Sequence, residues 1–596
     1  MYRLILIALL ALGHASAGAE EAARAPLAPA LRAEIALSRP DGQPLVDPAP
    51  GAPFAVEIVL RNMAGRDAPR GLDLVAWLRR TEGGGITCTE AARAYFATER
   101  SLPIGTVPLG GSLLAVLTGE GSIALVDPNF QLATANILAA VSIPEQVDRL
   151  VPDPFLRRVL AVSRDSGTVR AVSIAGGAAE VLVADLRGLE AVYPGPDGQI
   201  WVRTRDGFGR PAEVVAPATG SAASYGGIHV AIWTGREAEV IDLRTGTSLG
   251  VSRAGIQAAI PLEAADGELS GLVALTHEGI AVHWADAPEQ PVQVDLPPGF
   301  SRLDVDPSGR FAFAHGPDVG DVAIVDLARG AIVQIVVSNP PVSEIAFTSR
   351  DAFLRASDHS RVAVLSLGAI RPDQPPLIQE ATLGTAAASR TAPGLLTAME
   401  IEDRMIAVHP DSYTAYALHG SATTGKAPPM LSGAPRGALP PMFSITLRGG
   451  IPRQVVSIDR GFREVVPGRF RTVTALPDDH AYELVGSTGL GGMSFCAPIA
   501  KGRRAPPPPE GRLSLVRIEG GDHLRFADTS GQPIPFDGDV LLLALQGGWR
   551  RAIPIAAGPD GLSRETLDIP ATLPLALMAR SGDGRAFPIL QIGARR

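Results

Sequence analysis

LLAVLTGEGSIALVD, residues Leu113–Asp127, joins two apolar runs through a polar turn that contains glycine. Val, Ile, Ala and Leu alternate with other residues on both sides of the turn, a pattern typical of paired β-strands. Six further copies recur at roughly 40 residues, the period of a four-stranded propeller blade. They are Val159–Ser173, Gln199–Val215, His229–Leu243, Leu272–Trp284, Arg310–Leu327 and Ala352–Leu367.

This repeat predicts an all-β protein with a seven- or eight-bladed β-propeller over residues 103–370. A single four-stranded sheet leaves both of its edges open, whereas radial repetition packs sheet on sheet and leaves only short edges. IEDRMIAVHPDSYTAYAL (Ile401–Leu418) repeats the pattern once more, so an extension to residue 420 is an alternative. A β-sandwich with coincidental spacing is the competing interpretation.

Two longer phrases carry a family resemblance. They are DPSGRFAFAHGPDVGDVAIVDLARGAIVQIV (Asp306–Val336) and SIALVDPNFQLATANIL (Ser122–Leu138). Both resemble periplasmic YVTN-type propellers, which share their fold with the haem d1 domain of cytochrome cd1 nitrite reductase. The resemblance spans about 260 residues, enough for several blades of this period. It implies a fold and no single function, because propellers serve many functions, and no haem d1 ligand can be matched residue by residue.

Short strand patterns flank the repeat on both sides. We expect an N-terminal immunoglobulin-like β-sandwich over residues 31–100, with a short helix at Thr87–Arg100, because brief strands alternate there with Pro and Gly turns. Similar patterns predict a second β-sandwich over residues 395–500 and a C-terminal β-sandwich over residues 512–596. The proline-rich Ala505–Pro509 separates these last two as a stiff linker.

The N-terminus indicates export. Met1–Arg3 supplies a positive start, Leu4–Leu12 is an apolar run too short to span a bilayer, and Ala15–Ala17 fits a cleavage site. We therefore predict a signal peptide over residues 1–19, no transmembrane segment in the mature chain, and a periplasmic or secreted location. A net charge of −9 without a long basic run argues against nucleic acid as a partner.

The chain has two cysteines, Cys88 and Cys496, which stand on opposite sides of the repeat. In an oxidising compartment two thiols often pair, so a disulfide between the N-terminal and C-terminal regions is one expectation. Two separate buried thiols are the alternative. Two lone cysteines lack the spacing of a metal site.

Histidine placement is the most suggestive pattern. His277, His315 and His359 fall at the turn between the paired strands of three consecutive phrases, and His409 repeats this position in the last one. If the phrases are equivalent, these residues share one face, where an imidazole could ligate a metal or haem iron or titrate near neutral pH. The simpler interpretation is that they are ordinary turn residues, and that His283 is a packed core residue.

A copper site is a further hypothesis, because Met430, Met442, His419 and His409 offer thioether and imidazole ligands. Their spacing matches no compact motif, and methionine more often fills gaps in a core. No nucleophile elbow, Walker loop, H-E-x-x-H or dinucleotide motif is present, so the sequence leaves enzymatic activity undecided and favours a non-catalytic role.

The sequence therefore favours a periplasmic propeller that binds or scaffolds, engaging a protein partner of the cell envelope or a redox cofactor. An oxidoreductase or cofactor-maturation protein that holds haem d1 or a metal on the histidine-bearing face is the alternative. A purely structural envelope component is the third class.

Overall fold

The structure is a computed structural model, and nearly all of the regular secondary structure in its described residues is β-strand. These residues are 31–69, 71–72, 74–81, 87–97, 106–128, 137–174, 177–196, 198–252, 255–264, 266–372, 374–384, 388, 394–420, 439–488, 494–502, 511–518, 521–544, 550–567, 575–581, 587–588 and 590–592. The predicted signal peptide, the linker at Ala505–Pro509 and Met430 lie outside them. Among these residues the helices are α1 (Cys88–Ala97) and a 3-10 turn at Leu367–Ala369.

Eight four-stranded antiparallel sheets follow one another along the repeat. Sheet 1 contains β5 (Ser112–Thr118), β6 (Ser122–Val126), β7 (Ile137–Ser142) and β36 (Pro452–Asp459). Sheet 2 contains β8 (Arg149–Asp153), β9 (Arg158–Ser163), β10 (Thr168–Ser173) and β11 (Ala179–Val183). Sheet 3 contains β12 (Leu189–Pro194), β13 (Ile200–Thr204), β14 (Gly207–Arg210) and β15 (Glu213–Ala216). Sheet 4 contains β16 (Gly220–Ala223), β17 (His229–Trp233), β18 (Glu237–Asp242) and β19 (Ser248–Ser252).

The second half of the repeat also consists of four-stranded sheets. Sheet 5 contains β20 (Ile256–Glu263), β21 (Leu269–Thr276), β22 (Gly279–Trp284) and β23 (Val292–Asp295). Sheet 6 contains β24 (Arg302–Val305), β25 (Phe311–Gly316), β26 (Val319–Asp326) and β27 (Ala331–Val337). Sheet 7 contains β28 (Val342–Phe347), β29 (Asp351–Ala356), β30 (Arg361–Ser366) and β31 (Ile378–Thr382). Sheet 8 contains β32 (Leu396–Met399), β33 (Arg404–His409), β34 (Thr414–Leu418) and β35 (Phe443–Thr446).

Each sheet packs face to face on the next one. Separate buried apolar clusters lie between every two consecutive sheets, and a further cluster joins sheet 8 to sheet 1. The phrases quoted above contain the second and third strands of their sheets, which are the most deeply buried ones. A sheet that cannot bury its faces alone thus buries both against its neighbours, an arrangement consistent with a β-propeller.

Sheet 1 is built from both ends of the repeat. β36 pairs antiparallel with β5, Asp459 opposite Ser112, and so takes the position that the first strand holds in the other sheets. It contacts β8 of sheet 2 on one side and β32 of sheet 8 on the other. The strand that enters the repeat last therefore lies beside the strand that enters first.

A separate compact unit, called unit 1, combines the N-terminal residues with Gly461–Thr474 and His480–Arg503. One of its sheets has the order β1-β2-β38-β37 and the other the order β4-β3-β39-β40. The strands are β1 (Leu31–Ser38), β2 (Phe54–Asn62), β3 (Val75–Arg80), β4 (Val107–Pro108), β37 (Arg463–Val466), β38 (Arg469–Thr474), β39 (Tyr482–Ser487) and β40 (Ser494–Ala500).

The predicted helix is present in unit 1 as α1. Thr87 and Glu90 form a reciprocal capping box, in which the Glu90 carboxylate accepts the Thr87 N–H at 2.7 Å. The buried Ala91 and Ala92 then pack against Trp77 of β3. Cys88 at the start of α1 forms a disulfide with Cys496 of β40, with 6.0 Å between the two Cα atoms.

The strands of residues 395–500, predicted to form one sandwich, are divided among three places. Leu396–Thr446 forms sheet 8, so the repeat continues beyond residue 370, and β36 completes sheet 1. β37 to β40 pair instead with β1 to β3 of the predicted N-terminal sandwich. Alternation of apolar residues defines the buried face of a strand but not the strand beside it, which is why the sequence pattern misses this exchange.

The C-terminal residues form a further all-β region. β41 (Gly511–Ile518) pairs with β42 (Gly521–Asp528), and a second sheet has the order β44-β43-β45-β46. Its strands are β43 (Phe536–Ala544), β44 (Arg550–Ala557), β45 (Leu575–Ser581) and β46 (Leu590–Ile592). Phe526 and Phe536 stack with 4.0 Å between ring centroids, and Phe587 meets both edge-on, so both sheets share one core.

No helix among the described residues is long and apolar enough to cross a membrane.

Candidate functional site

The four nominated histidines lie in consecutive sheets. His277 follows β21 of sheet 5, His315 lies within β25, His359 follows β29, and His409 ends β33. Two of them occupy turns as predicted, whereas His315 and His409 belong to strands. His277 is exposed, and its Nδ1 lies 2.6 Å from the Gln257 amide of the same sheet.

His315 connects sheets 6 and 7. Its side chain is only 2% exposed, and its Nε2 lies 2.8 Å from a carboxylate oxygen of Asp304. The other ring nitrogen lies 3.4 Å from the Val342 carbonyl, at the start of β28. Both nitrogens of this imidazole are therefore engaged by the fold.

His359 and His409 lie on either side of the junction between sheets 7 and 8. His359 is 3% exposed and has a backbone φ of 56°, a left-handed conformation that histidine tolerates better than most residues. Its Nδ1 has no hydrogen-bond partner among the described residues. Burial lowers the pKa of His359 to about 4, and the positive field of Arg355 adds to this effect, so the ring is neutral at pH 7.

Arg355 joins sheets 7 and 8 from a fully buried position in β29. Its guanidinium donates to the Leu395 carbonyl at 2.5 Å and to the Val408 carbonyl, both on the sheet 8 side. Burial lowers its pKa to about 10, and the carboxylate of Glu344 opposes that shift.

Glu344 is the cross-strand partner of Arg355 within sheet 7. Burial raises its pKa to about 7, although the charge of Arg355 and the backbone N–H groups of Leu395 and Leu396 favour the ionised form. Its Oε2 is shielded from solvent and has no hydrogen-bond partner in the described part of the chain. Buried groups with shifted pKa values concentrate at functional sites, which makes this junction the candidate site.

The structure groups three of the four histidines and leaves one apart. His315, His359 and His409 line successive junctions beside the charged groups of sheets 6 to 8, while His277 stands on the exposed rim of sheet 5. Within the described ranges, no group of three or more His, Cys, Asp or Glu side chains is placed to hold a metal ion. Of the residues considered for copper, Met442 is exposed and the His419 Nδ1 lies 3.0 Å from the Asp403 carbonyl.

A second polar group was missed from the sequence. His229 of β17 is buried, with its Nδ1 2.9 Å from Glu263 of sheet 5 and its Nε2 3.9 Å from Asp242. Ser224 donates to Glu263 rather than to the imidazole, so this trio lacks the order of a nucleophile and its base. The sequence did offer a signal for this contact: His229 begins a strand, and Glu263 ends the first strand of the next sheet. Its meaning depends on knowing which sheets adjoin.

Comparisons with known proteins give structural likeness only. No family model and no curated protein matches the sequence. Apo AztD from Citrobacter koseri is 13% identical, with 59% of this chain and 98% of that chain covered and a TM-score of 0.42. A putative 6-phosphogluconolactonase from Bacteroides uniformis is 15% identical, covering 59% and 100%, with a TM-score of 0.37. Dihydro-heme d1 dehydrogenase NirN is 13% identical, covering 66% and 74%, with a TM-score of 0.30. Values this low assign neither a family nor a function.

Proposed function

We propose that this chain is an exported, non-catalytic β-propeller of eight blades that binds or scaffolds a protein partner in the cell envelope. The blade number is supported by eight four-stranded sheets with an apolar cluster at each junction, including the one between sheets 8 and 1. In this proposal β36 closes the ring, and unit 1 and the C-terminal region are immunoglobulin-like modules that flank it.

The observation that carries the non-catalytic role is that the buried polar side chains of the candidate site form hydrogen bonds between neighbouring sheets. His315 and Arg355 each bridge two neighbouring sheets through hydrogen bonds to main-chain carbonyls, and His229 does so through the Glu263 carboxylate. Catalytic acids, bases and nucleophiles need a free reacting atom within reach of a substrate. A protein whose polar groups hold its sheets together is suited to presenting a rigid surface.

The periplasmic location rests on two features. The N-terminal sequence fits a signal peptide, and the disulfide between Cys88 and Cys496 belongs to an oxidising compartment. A partner in the cell envelope follows from this location. The net charge of −9 favours a protein over a nucleic acid.

The second candidate is an oxidoreductase or cofactor-maturation protein that holds haem d1 or a metal on the histidine-bearing face. Its one favourable observation is His359, a neutral imidazole whose Nδ1 is without a hydrogen-bond partner among the described residues. The four histidines together do not fit such a group. His277 is exposed on a different sheet, and both nitrogens of His315 are engaged by the fold.

Native purification from the periplasm separates the two candidates. The binding protein should be colourless and metal-free, and crosslinking in intact cells should attach it to the same envelope protein in repeated experiments. A Soret band or stoichiometric metal that stays with the protein through gel filtration would support the second candidate. Loss of that band or metal when His277, His315 and His359 are substituted together would place the binding site at these histidines. Absence of any crosslinked partner would contradict the binding role.

A further inference from the structure

The junction between sheets 7 and 8 carries an unusual pair of carboxylates. Glu344 lies in the first strand of sheet 7, and Asp351 opens the second strand. Both interact with groups of sheet 8, and each has one carboxylate oxygen, Glu344 Oε2 and Asp351 Oδ1, without a hydrogen-bond partner among the described residues. An oxygen in this condition has nothing to replace the hydrogen bonds from water that it loses on burial, which disfavours the ionised form of the group.

Asp351 faces a second acid across the junction. Its side chain is buried, and the close approach of Gly420 leaves no room beside it for even a Cβ atom. Burial and the nearby charge of Asp403 raise the pKa of Asp351 to about 6, against the opposing effects of His419, Ser366 and Arg350. Asp403 is itself held by Arg350 at 3.5 Å and by the Ser349 hydroxyl at 3.0 Å.

Glu344 is surrounded by a different set of charges. Arg355 favours its ionised form, whereas Asp304 of sheet 6 disfavours it. The backbone N–H groups of Leu395 and Leu396 belong to the start of sheet 8, so this carboxyl group spans the same junction as Asp351. Arg355 is bound to the same side of the junction by its hydrogen bonds to the Leu395 and Val408 carbonyls.

A third titratable group at the junction responds in the opposite direction. His359 faces Arg355, Asp358 and His409, and its pKa is lowered mainly by burial. Its protonation therefore opposes the packing of sheet 7 on sheet 8, whereas protonation of the two carboxylates favours it.

We propose that the junction between sheets 7 and 8 is a proton-operated latch, held closed by protonated Glu344 and Asp351 and loosened when these groups ionise. Opening here would separate two blades without disturbing the seven other junctions, which have apolar clusters of their own. This inference goes beyond the proposed binding role and does not depend on the identity of a partner.

The direction of the pH effect follows from linkage. Glu344 and Asp351 have raised pKa values when the junction is closed, so they bind protons on closing, and the closed state loses stability as pH rises toward about 7 and about 6 respectively. His359 has a lowered pKa, so it releases a proton on closing and the closed state gains stability as pH rises from about 4 to 6.5. If the open junction has ordinary pKa values, the opening constant of the wild type rises about fivefold between pH 6 and pH 8.

Hydrogen exchange followed by mass spectrometry on the full-length protein tests this. Exchange rates of peptides covering β28–β29 and β32–β33 are corrected for the intrinsic effect of pH and compared with peptides from sheet 3. Glu344→Gln keeps the size of the side chain and should abolish the rise, leaving a decrease of about twofold from the remaining two groups. His359→Asn should enlarge the rise to about twentyfold.

The matched control is Glu190→Gln, which alters a partly exposed glutamate in the first strand of sheet 3. It should leave the pH response of the 7–8 junction at the wild-type value. Exchange at the junction that is independent of pH in the wild type, or a wild-type rise that persists in Glu344→Gln, would overturn the latch. Either result would leave the proposed binding role untouched, since that role is tested by crosslinking.

Discussion

At the scale of single residues, Arg355 shows how a charge can serve packing. Its guanidinium replaces water with two carbonyl oxygens of sheet 8, and Glu344 balances part of its charge. Removing one partner of a buried charge pair leaves the other uncompensated, at a cost of about 3–5 kcal/mol.

Arg355→Met should therefore lower the free energy of unfolding by about 3–5 kcal/mol in denaturant titrations at pH 8, above the pKa of about 7 at which Glu344 ionises in the fold. Adding Glu344→Leu should restore part of that loss, because the double variant no longer buries an unpaired carboxylate. Arg361→Met, which removes a partly exposed guanidinium of the same sheet, is the control and should cost under about 1 kcal/mol. Equal decreases in the free energy of unfolding for Arg355→Met and Arg361→Met would show that the buried guanidinium stabilises the protein no more than the partly exposed one.

Glu263 is a carboxyl group whose effect on stability should have the opposite pH dependence to that of Glu344 and Asp351. Burial opposes ionisation of this carboxyl group, but hydrogen bonds from His229 and Ser224 outweigh it, and the net effect is a lowered pKa. A carboxylate with a lowered pKa stabilises the fold above its ordinary value of 4.5 and loses that contribution as pH falls through the folded pKa.

Glu263→Gln should therefore destabilise the protein at pH 7, and its deficit relative to the wild type should shrink below pH 4.5. Thermal unfolding measured across this range gives the comparison. Glu237→Gln, an exposed change in β18, should run parallel to the wild type throughout. A deficit for Glu263→Gln that stays constant down to pH 3 would contradict this assignment.

At the scale of elements, β36 is the closure of the repeat, and two ion pairs secure its end. Asp459 pairs with Arg157 of sheet 2 at 2.8 Å, and Arg460 pairs with Asp127 of sheet 1 at 2.7 Å. All four side chains are buried, so these pairs are shielded from solvent in a way that surface pairs are not.

Arg460→Met should cost about 3–5 kcal/mol because Asp127 would remain buried without this partner. Arg164→Met removes an exposed guanidinium that pairs with Asp148 at 3.6 Å, and should cost under about 1 kcal/mol. Hydrogen exchange should place the loss in β5, β6 and β36. A loss spread evenly over all eight sheets would argue against a local role for this closure.

These elements also show where sequence reasoning reaches its limit. The strand pairs of the phrases could be predicted because their alternation is local and repeats at a constant period. The pairing of β36 with β5 could not, since the two strands are more than 300 residues apart and only the ring brings them together. For His315 and His359, the positions near the turns could be predicted from the sequence. Their burial could not, because it depends on the adjoining sheet.

At the scale of the whole molecule, the disulfide between Cys88 and Cys496 links the N-terminal segment of unit 1 to its later segment. Gly111 and Arg460, the first and last residues of the repeat, are neighbours, because the Arg460 N–H donates to the Gly111 carbonyl at 3.0 Å. While the ring of sheets stays folded, Cys88 and Cys496 therefore close an effective loop far shorter than their sequence separation of 408. An effective loop of about 60 residues corresponds to about 4 kcal/mol of stabilisation by chain entropy.

Replacing both cysteines by serine should thus destabilise unit 1 by about 4 kcal/mol and leave the eight sheets unchanged. Hydrogen exchange resolves the two, since peptides around Trp77 report on unit 1 and peptides around Trp201 report on sheet 3. Reduction of the wild type should reproduce the effect, which controls for the substitutions themselves. If the sheets of the repeat lost protection to the same extent, the ring would depend on this crosslink for its closure, and β36 with its ion pairs would not suffice to hold it.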